Sequence, residues 1–467
     1  MLLFAIIIYL GLTIGIGYWA SKRVKTSGDF MLAGRSLPLL LSASALFATW
    51  FGSETVFGAS SQFLQGGLYA VIEDPFGGAL CLVLFGLFFA RKLYNMNLLT
   101  LGDYFEVRFG RKTGLVASAS LAPPYVGYIA AQLVAMGLIL NVVAGTELWL
   151  GVVISAVVVT FYTYIGGMWA ISITDFFQSI VTIVGLIVLA IVLGTKAGGV
   201  ANVINQVPEQ NFKFFPDGNA REIIGWIAAW SVLGLGSLPS QDVFQRAMSS
   251  RSANVAVRSC YIAAIIYLVV AMLPLFISLC TKYLYPDQVG DAQLALPNMV
   301  MQHTGLVVQV LFFGSLMSAI MSTTSSAILA PAAILAENLI RPLSKRNYTD
   351  QQMLSLTRLS VLIFAIIATI MACLRRNIYE LVGESSILSL VSLFVPLVFG
   401  LYWKRASSVG AVLSILGGGA TWFVCVNIEL SVPELVPSTI VSMIGMIGGS
   451  LLFPEKESEK EKEVSPV

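Results

Sequence analysis

The sequence predicts an all-α membrane protein with about thirteen transmembrane helices. Hydrophobic residues make up 57% of the 467 positions and charged residues only 11%, and the mean hydropathy is +0.84. A water-soluble protein of this length would need many more charged side chains to cover its surface. Apolar runs of about eighteen or more residues, the length that crosses a bilayer, recur along nearly the whole chain.

Each predicted span is an apolar run bounded by short polar or charged segments. The first run lacks a basic start and a small-residue cleavage site, so we expect a retained helix rather than a signal peptide. In chain order the spans are predicted near residues 2–20, 37–65, 67–90, 114–144, 148–165, 167–195, 222–245, 254–281, 305–339, 353–374, 377–402, 408–428 and 436–453.

Basic residues are concentrated in alternate loops, and cytoplasmic loops hold the excess of lysine and arginine in membrane proteins. The basic loops carry Lys22, Arg23, Lys25 and Arg35, then Arg91, Lys92, Arg108, Arg111 and Lys112, and later Arg246, Arg251, Arg341, Lys345, Arg346, Lys404 and Arg405. We therefore expect a multi-pass protein of the cell (plasma) membrane with its N-terminus outside. Residues 454–467 would form a charged cytoplasmic tail.

Two of the predicted spans contain residues that interrupt a helix. The second carries ATWFGSET at 48–55, and the seventh carries GLGSLP at 234–239. Glycine relaxes a helix and proline removes a donor, and unwound backbone at membrane depth must be buried or line a cavity. Breaks in corresponding positions indicate a transporter of inverted repeats with its site at the midplane. Ordinary kinks, which are common in membrane helices, are the alternative.

The ninth span carries a hydroxyl-rich stretch, GSLMSAIMSTTSSAILA, at 314–330. Ala319, Ser322, Thr323 and Ser326 fall at i, i+3, i+4 and i+7, so they share one helix face. Sodium is held by neutral oxygens that replace its hydration water, and this face offers such oxygens without a charge. Close helix packing, which small hydroxyl residues also permit, is the alternative.

The remaining composition argues against several other functions. The cysteines Cys81, Cys260, Cys280, Cys373 and Cys425 lack CxxC spacing and are typical of packing residues. A single histidine disfavours a histidine-based metal site or enzyme, and no basic cluster suggests nucleic acid. A channel is disfavoured because no repeated filter loop is present.

Motifs along the chain resemble the sodium/solute symporter family, which includes sodium-coupled proline, choline, sugar, sialic acid and pantothenate carriers. One is YTYIGGMWAISITDFFQ at 162–178, another is YWKRASSVGA at 402–411, and the third is the hydroxyl-rich stretch. The resemblance implies a LeuT-type fold in one transmembrane transporter domain, residues 1–453, with two inverted five-helix repeats at 37–195 and 222–402. An extra helix at 2–20 precedes them, and two more at 408–453 follow.

The resemblance also implies sodium ligands by position. They are the carbonyl oxygens of Ala48, Phe51 and Ala319 and the hydroxyl oxygens of Ser322 and Thr323. Some family members bind a second sodium near the aspartate of the Thr-Asp motif, which is Asp175 here, with Ser322, Ser325 and Ser326 completing that pattern. A carboxylate inside the membrane favours an ion role. A salt bridge that ties helices together is the alternative for Asp175.

Solute contacts are expected beside the two breaks and on the third and fourth spans. The candidates are Trp50, Gly52, Ser53 and Glu54, then Tyr128 and Gln132 in the fourth span, and Ser237, Ser240 and Gln241 at the second break. Glu54 is the most specific, because a buried carboxylate pairs with an amino or ammonium group. A basic partner residue or a protonated carboxyl group is the alternative, and Glu73 and Asp74 allow the same interpretations.

The stretches at 48–52 and 234–250 are most similar to the choline-carrier branch. That branch surrounds a quaternary ammonium group with aromatic residues, of which Trp50 is kept and Tyr128 is a candidate replacement. Ser240 stands where choline carriers have a tryptophan, so the chain departs from a full aromatic cage. We therefore predict a small organic solute that is zwitterionic or amino-bearing.

The predicted function is secondary active transport, with sodium-coupled symport of that solute into the cell by alternating access. The partners are the solute, the lipid bilayer and Na⁺ as the co-transported ion, without nucleic acid and without enzymatic activity. A proton-coupled carrier of the same fold, with Asp175 or Glu54 titrating, is one alternative. A non-transporting membrane sensor is the other.

Overall fold

The computed structural model describes residues 2–286, 293–344, 346–428 and 430–455. The described residues form helices joined by short loops and contain no β-strand, which confirms the predicted all-α class. Lys345 and the predicted cytoplasmic tail beyond residue 455 lie outside the described residues.

The long helices and the two halves of each broken span are numbered α1–α14, and shorter helices are given by their residues. They are α1 (Leu2–Ser21), α2 (Leu39–Trp50), α3 (Glu54–Gly66), α4 (Leu68–Asn95), α5 (Arg111–Ala144), α6 (Leu148–Lys196), α7 (Ala220–Gly236), α8 (Gln241–Met248), α9 (Ala253–Leu284), α10 (Leu306–Ser344), α11 (Asp350–Leu374), α12 (Ile378–Tyr402), α13 (Ser408–Cys425) and α14 (Leu435–Leu452). The main shorter helices are Ser27–Leu32, Leu101–Phe109, Val200–Asn205 and Ala295–His303.

Within the described residues, nine helices are long and apolar enough to cross a membrane, and two bent pairs raise the number to eleven. Helix α6 has 49 residues, which at about 1.5 Å per residue is more than twice a bilayer core of about 30 Å. Its backbone leaves helical geometry at Gly167 (φ 55°, ψ −166°), and a Cβ atom there would lie 2.5 Å from the Phe30 ring. Division at Gly167 matches the predicted fifth and sixth spans. The total of about thirteen spans stays a prediction.

The break predicted at 48–55 is confirmed as a bend of 51° between α2 and α3. Helix α2 ends at Trp50, and Phe51 takes non-helical angles (φ −86°, ψ 77°). Gly52 follows in the bend, where a Cβ atom would lie 2.7 Å from a carboxylate oxygen of Glu54. The glycine therefore lets the side chains beside the break approach the backbone closely.

The break predicted at 234–239 is confirmed as a bend of 48° between α7 and α8. Pro239 supplies no backbone N–H, and Ser240 has an extended backbone (φ −89°, ψ 137°) before α8 begins. Gly236 lies so close to α12 that a Cβ atom would be 2.5 Å from the Ser386 carbonyl oxygen. This contact brings the second break against α12.

Helix α10 passes through the centre of the molecule and contacts α2, α5, α6 and α8. Its hydroxyl-rich stretch is fully inside the protein, with Ser322 1% and Thr323 0% exposed. Other helices present large apolar side chains outward, such as Phe161, Ile191 and Leu374. This arrangement, with polar groups inside and apolar groups outside, is typical of a multi-pass membrane protein.

Candidate functional site

A cavity of about 60 Å³ lies where the two helix breaks meet α5 and α12. The predicted solute residues that line it are Trp50, Glu54, Tyr128, Ser237 and Ser240. Both breaks and the fourth predicted span therefore border one chamber. Such a chamber between two discontinuous helices is where transporters of inverted repeats bind their solute.

The Glu54 carboxylate is buried at the wall of this cavity, with 3% of the residue exposed. Gln132 Nε2 donates to Oε2 at 2.7 Å, and the Tyr128 hydroxyl lies 3.2 Å from Oε1. The same hydroxyl lies 2.9 Å from the Thr49 carbonyl oxygen, so its one hydrogen serves two acceptors. None of the ion pairs in the described part of the chain includes Glu54, so its carboxyl group is available to pair with a cationic solute.

The predicted solute residues that lie outside the cavity lining are Gly52, Ser53, Gln132 and Gln241. The backbone N–H of Ser53 donates to Gln132 Oε1 at 2.9 Å, and Gln132 in turn orients Glu54. Gln241 makes a different contact, because its Oε1 accepts a hydrogen bond from the Leu101 backbone N–H at 2.6 Å. Ser53 and Gln132 therefore support Glu54, whereas Gln241 braces the loop before the helix Leu101–Phe109.

The lining also contains residues that the sequence reasoning missed, namely Tyr125, Asp242, Ser385, Ser386 and Ser389. The Tyr125 hydroxyl donates to Asp242 Oδ1 at 2.8 Å, and the Asp242 backbone N–H donates to the Tyr125 oxygen at 3.1 Å. Two signals in the sequence point to them. Asp242 follows the proline of the second break closely, and the serines follow Glu384 in a predicted membrane span.

The cavity is acidic and partly aromatic. Glu54 and Asp242 both line it, and no lysine, arginine or histidine of the described residues does. The aromatic residues Trp50, Tyr125 and Tyr128 add ring faces or edges, and ring faces attract cations. The electrostatics therefore favour a solute that carries a positively charged group.

Helix α10 crosses α2 just before the first break. The Thr323 hydroxyl donates to the Ala48 carbonyl oxygen at 2.8 Å and lies 3.1 Å from the Ala319 carbonyl oxygen. The Thr323 hydroxyl oxygen therefore lies within hydrogen-bond distance of two other oxygens predicted to bind sodium. Phe51, which carries a further predicted ligand, is the residue at which α2 loses helical geometry. Backbone that leaves the helix exposes carbonyl oxygens that a cation can use.

Asp175 lies on α6 next to this crossing and is fully buried. The Ser322 hydroxyl donates to Oδ1, and Arg246 Nη2 on α8 lies 3.4 Å from Oδ2. Arg246 is also fully buried and donates from Nε to the Ala45 carbonyl oxygen at 2.8 Å. The salt bridge considered as an alternative for Asp175 is thus present, and the ion role stays a prediction.

The other residues predicted for a second sodium are one turn further along α10. The Ser325 hydroxyl donates to the Ser322 carbonyl oxygen at 2.8 Å, and the Ser326 hydroxyl lies 3.0 Å from that oxygen and 2.8 Å from the Thr323 carbonyl oxygen. Over the described residues, no group of three or more His, Cys, Asp or Glu could hold a metal ion. The candidate ion ligands are therefore neutral oxygens with one carboxylate.

Two bent helices that meet at an acidic cavity, beside a buried helix rich in hydroxyl groups, are typical of a membrane carrier. The chain belongs to the sodium:solute symporter family, whose family model matches residues 30–418. Sodium is accordingly the co-transported ion, and the chain is a transporter rather than an enzyme.

The relatives and one solved structure agree with this membership. The human high affinity choline transporter 1 is 28% identical over 436 residues, which cover 89% of this chain and 75% of that protein. The high-affinity proline transporter PutP of Bacillus subtilis (strain 168) is 28% identical over 467 residues, covering 94% and 95%. A substrate-bound, outward-open structure of a Na⁺-coupled sialic acid symporter matches with a TM-score of 0.84 at 20% identity, covering 98% and 99%. This likeness confirms the predicted LeuT-type fold.

Proposed function

We propose that the chain carries a small amino-bearing or zwitterionic solute into the cell together with sodium, by alternating access. One observation carries the proposal. The Ala48 carbonyl on α2 contacts Thr323, while Trp50 at the end of α2 and Glu54 at the start of α3 line the cavity. Because ion and solute would both bind at one helix break, binding of either changes the affinity for the other.

The proposed sodium site takes carbonyl oxygens from Ala48, Phe51 and Ala319 and hydroxyl oxygens from Ser322 and Thr323. Its ligands come from both α2 and α10, so that a bound sodium ion joins the broken span to the buried hydroxyl helix. In this mechanism sodium favours the outward-open state, and solute binding then permits closure of the outer side. Sodium leaves first to the cytoplasm, where its concentration is low.

The proposed second sodium site comprises Asp175, Ser322, Ser325 and Ser326. A sodium ion there would share the carboxylate with Arg246, whose guanidinium already lies beside it. Each sodium that moves inward contributes about 2.3 kcal/mol per 100 mV and about 1.4 kcal/mol for a tenfold gradient. Two ions therefore provide roughly 7 kcal/mol, which concentrates a neutral solute on the order of 10⁵-fold, and one ion provides the square root of that ratio.

The proposed solute site uses Glu54 to bind a positively charged nitrogen between the rings of Trp50 and Tyr128. Ser237 and Ser240 provide hydroxyl groups from the second break. Support comes from the acidic lining and from the relatives, because choline and proline both contain a positively charged nitrogen. Gly52, Ser53 and Gln132 support this site from behind the lining, whereas Gln241, predicted for the same site, contacts the Leu101 backbone.

We also propose the arrangement of the chain in the membrane. Residues 37–195 and 222–402 form the two inverted repeats of one transporter domain in the plasma membrane. The N-terminus lies outside and the tail at 454–467 lies in the cytoplasm, as the alternation of basic loops favours. The apolar outward faces then contact lipid.

Thermal melting of the purified protein in detergent tests the function. Amino acids, betaines, choline, sugars, sialic acid, pantothenate and short carboxylates are each added in sodium and in potassium. A compound that binds only the folded state raises the melting temperature by mass action. We expect an amino-bearing or quaternary ammonium compound to raise it in sodium and much less in potassium.

Two outcomes would contradict the proposal. A solute that raises the melting temperature equally in sodium and in potassium would show that solute binding at this break does not depend on sodium. A solute without any positive group, stabilising strongly in sodium, would contradict the role given to Glu54. Uptake into proteoliposomes with an imposed sodium gradient then distinguishes transport from mere binding.

A further inference from the structure

Asp74 is a buried carboxyl group that the proposed transport cycle does not use. It lies on α4, where its backbone leaves helical geometry (φ −139°, ψ 124°) just before Pro75, and it is 1% exposed. The Tyr267 hydroxyl on α9 donates to Oδ1. Oδ2 is buried and has no hydrogen-bond partner among the described residues.

No positive charge in the described part of the chain balances this carboxyl group. None of the ion pairs formed by the described residues includes Asp74. The ionisable groups that face it are Glu73 on its own helix, Glu54 on α3, Tyr267 on α9 and Tyr379 on α12. All of these are neutral or negative, so the surroundings oppose a second negative charge.

An ionised carboxylate here would lose its hydration without gaining a counter-ion, which is strongly unfavourable. A bound metal ion or a bound proton would remove that cost. Sodium needs several oxygen ligands, whereas the side chains of the described residues that hydrogen-bond Asp74 are those of Tyr267 and Thr55. A proton needs no further ligand, and a neutral carboxyl group tolerates a dry oxygen far better than a carboxylate does.

A chain of hydroxyl groups joins Asp74 to the solute cavity. Tyr267 OH lies 3.0 Å from Thr55 Oγ1, and Thr55 donates to the carbonyl oxygen of Trp50 at 3.2 Å. The Trp50 ring, which lines the cavity, packs edge-on against Tyr267 with 6.1 Å between ring centroids. The carboxyl group is therefore connected to the end of α2, where the first break begins.

The direction of this chain depends on one proton. With a proton on Asp74 Oδ1, each hydroxyl donates once in the same direction, from Asp74 to Tyr267, then to Thr55 and then to the Trp50 carbonyl. Without that proton, Tyr267 donates to Asp74 instead, and the chain divides at Tyr267. In that state Thr55 can donate either to Tyr267 or to the Trp50 carbonyl, so the protonation state of Asp74 determines whether the Thr55 hydrogen is committed to that carbonyl.

We propose that Asp74 is a proton-binding site of this transporter and that its occupancy controls the hydrogen bonding of the first helix break. The proton is exchanged with water, and no other bond is made or broken. The inference goes beyond sodium symport and does not depend on the identity of the solute. It makes the α2–α3 bend sensitive to pH as well as to sodium.

Infrared spectroscopy of the purified chain in detergent tests the proposal, because a protonated carboxyl group has a C=O stretching band that a carboxylate lacks. At neutral pH, in both sodium and potassium buffer, the wild-type protein should show such a band, and D₂O should shift it. Asp74→Asn should lose the Asp74 part of the band, and Glu54→Gln, which changes another buried carboxyl group, should keep that part. Glu73→Gln changes the neighbouring carboxyl group and should keep it.

Two further variants keep the test decisive if Asp74→Asn folds poorly. Asp74→Glu retains a carboxyl group and should retain a band at a changed frequency. Tyr267→Phe should also retain the band with a changed frequency, because the partner of Oδ1 is removed. Thermal melting in the same detergent shows whether each variant is folded.

The proposal is overturned if Asp74→Asn leaves the protonated-carboxyl band intact, or if Glu73→Gln removes it instead. It is also overturned if the wild-type band appears only after sodium is withdrawn, since a sodium ion would then balance the charge. These measurements need no solute. They therefore separate the failure of this proposal from the failure of sodium-coupled symport, which the melting screen tests.

Discussion

Glu54 and Asp175 are both carboxylates buried in membrane helices, but different groups surround them. Asp175 lies 3.4 Å from the guanidinium of Arg246 and accepts a hydrogen bond from Ser322. Glu54 takes part in no ion pair of the described residues and lines the cavity. Asp175 has a counter-ion inside the protein, whereas Glu54 would gain a counter-ion from a bound solute.

The difference shows that a carboxylate inside a membrane helix can have two roles. Arg246 contacts both Asp175 and the Ala45 carbonyl, so it joins α8 to α6 and to α2. Asp175 is therefore part of the helix framework, and any sodium ion beside it competes with a tethered cation. Glu54 joins its helix to α5 only through neutral hydrogen bonds from Gln132 and Tyr128.

The largest expected effect comes from Arg246→Gln. This change leaves Asp175 buried without a counter-ion, which should lower the free energy of unfolding by about 3–5 kcal/mol. The melting temperature in detergent measures the loss. Glu54→Gln serves as the matched comparison, because it removes a charge that balances no partner and should lower the melting temperature much less.

A double variant tests whether the charges of Asp175 and Arg246 depend on each other. Arg246→Gln combined with Asp175→Asn removes both charges and should recover much of the stability that Arg246→Gln alone loses. If the double variant were no more stable than the single one, Asp175 would not depend on Arg246. Asp175 would then need a counter-ion no more than Glu54 does.

The second effect is on solute binding by Glu54→Gln. Loss of a charged partner for a positive nitrogen costs about 1.5–3 kcal/mol, so the solute dissociation constant should rise roughly tenfold to a hundredfold. Titration of the melting temperature with the solute found in the screen measures it. Glu73→Gln, outside the cavity lining, should leave the dissociation constant unchanged. Equal losses of solute affinity in both variants would mean that the overall negative charge of the region, rather than Glu54 itself, attracts the solute.

The third effect concerns sodium affinity at the α2–α10 crossing. Thr323→Ala removes the hydroxyl that contacts the Ala48 carbonyl and should raise the half-saturating sodium concentration roughly tenfold. Thr324→Ala is the matched control, since its hydroxyl donates to the Ile320 carbonyl of its own helix. Sodium-dependent uptake measures both. Wild-type sodium dependence in Thr323→Ala would remove this crossing as the sodium site.

Much of this architecture was predictable because its signals are local in sequence. The two breaks depend on Gly52 and on Pro239 near the middle of apolar runs, and the hydroxyl-rich face depends on helical spacing. Glu54 and Trp50 could be predicted as solute contacts because they lie within the first break. Their place in the cavity lining agrees with that reasoning.

The partners of these residues were not predictable, because they are distant in sequence. Arg246 meets Asp175 across 71 positions, and nothing in the composition of either helix specifies that contact. Gln241 was assigned to the solute by its position after a proline, but its side chain meets Leu101. Asp242, one residue further, lines the cavity instead. The rotation of a helix about its axis determines which of two neighbouring side chains faces the cavity. The sequence of one short segment does not specify that rotation.

The variant with the smallest expected effect tests whether sodium also binds beside Asp175. It leaves the ion pair between Asp175 and Arg246 intact. Ser325→Ala removes one hydroxyl proposed for the second site and should weaken that site by a few-fold. At saturating sodium, each bound ion adds about 1.4 kcal/mol of stability per tenfold rise in concentration. The slope of stability against the logarithm of sodium concentration therefore counts the bound ions.

We expect the wild-type slope to correspond to two ions and the Ser325→Ala slope to fall toward one at intermediate sodium concentrations. Thr324→Ala, the neighbouring hydroxyl on α10, should keep the wild-type slope. A wild-type slope of one ion would mean that the Arg246 guanidinium already fills the position beside Asp175. The two buried carboxylates would then differ completely, since Asp175 would belong to the framework and Glu54 alone would bind a transported charge.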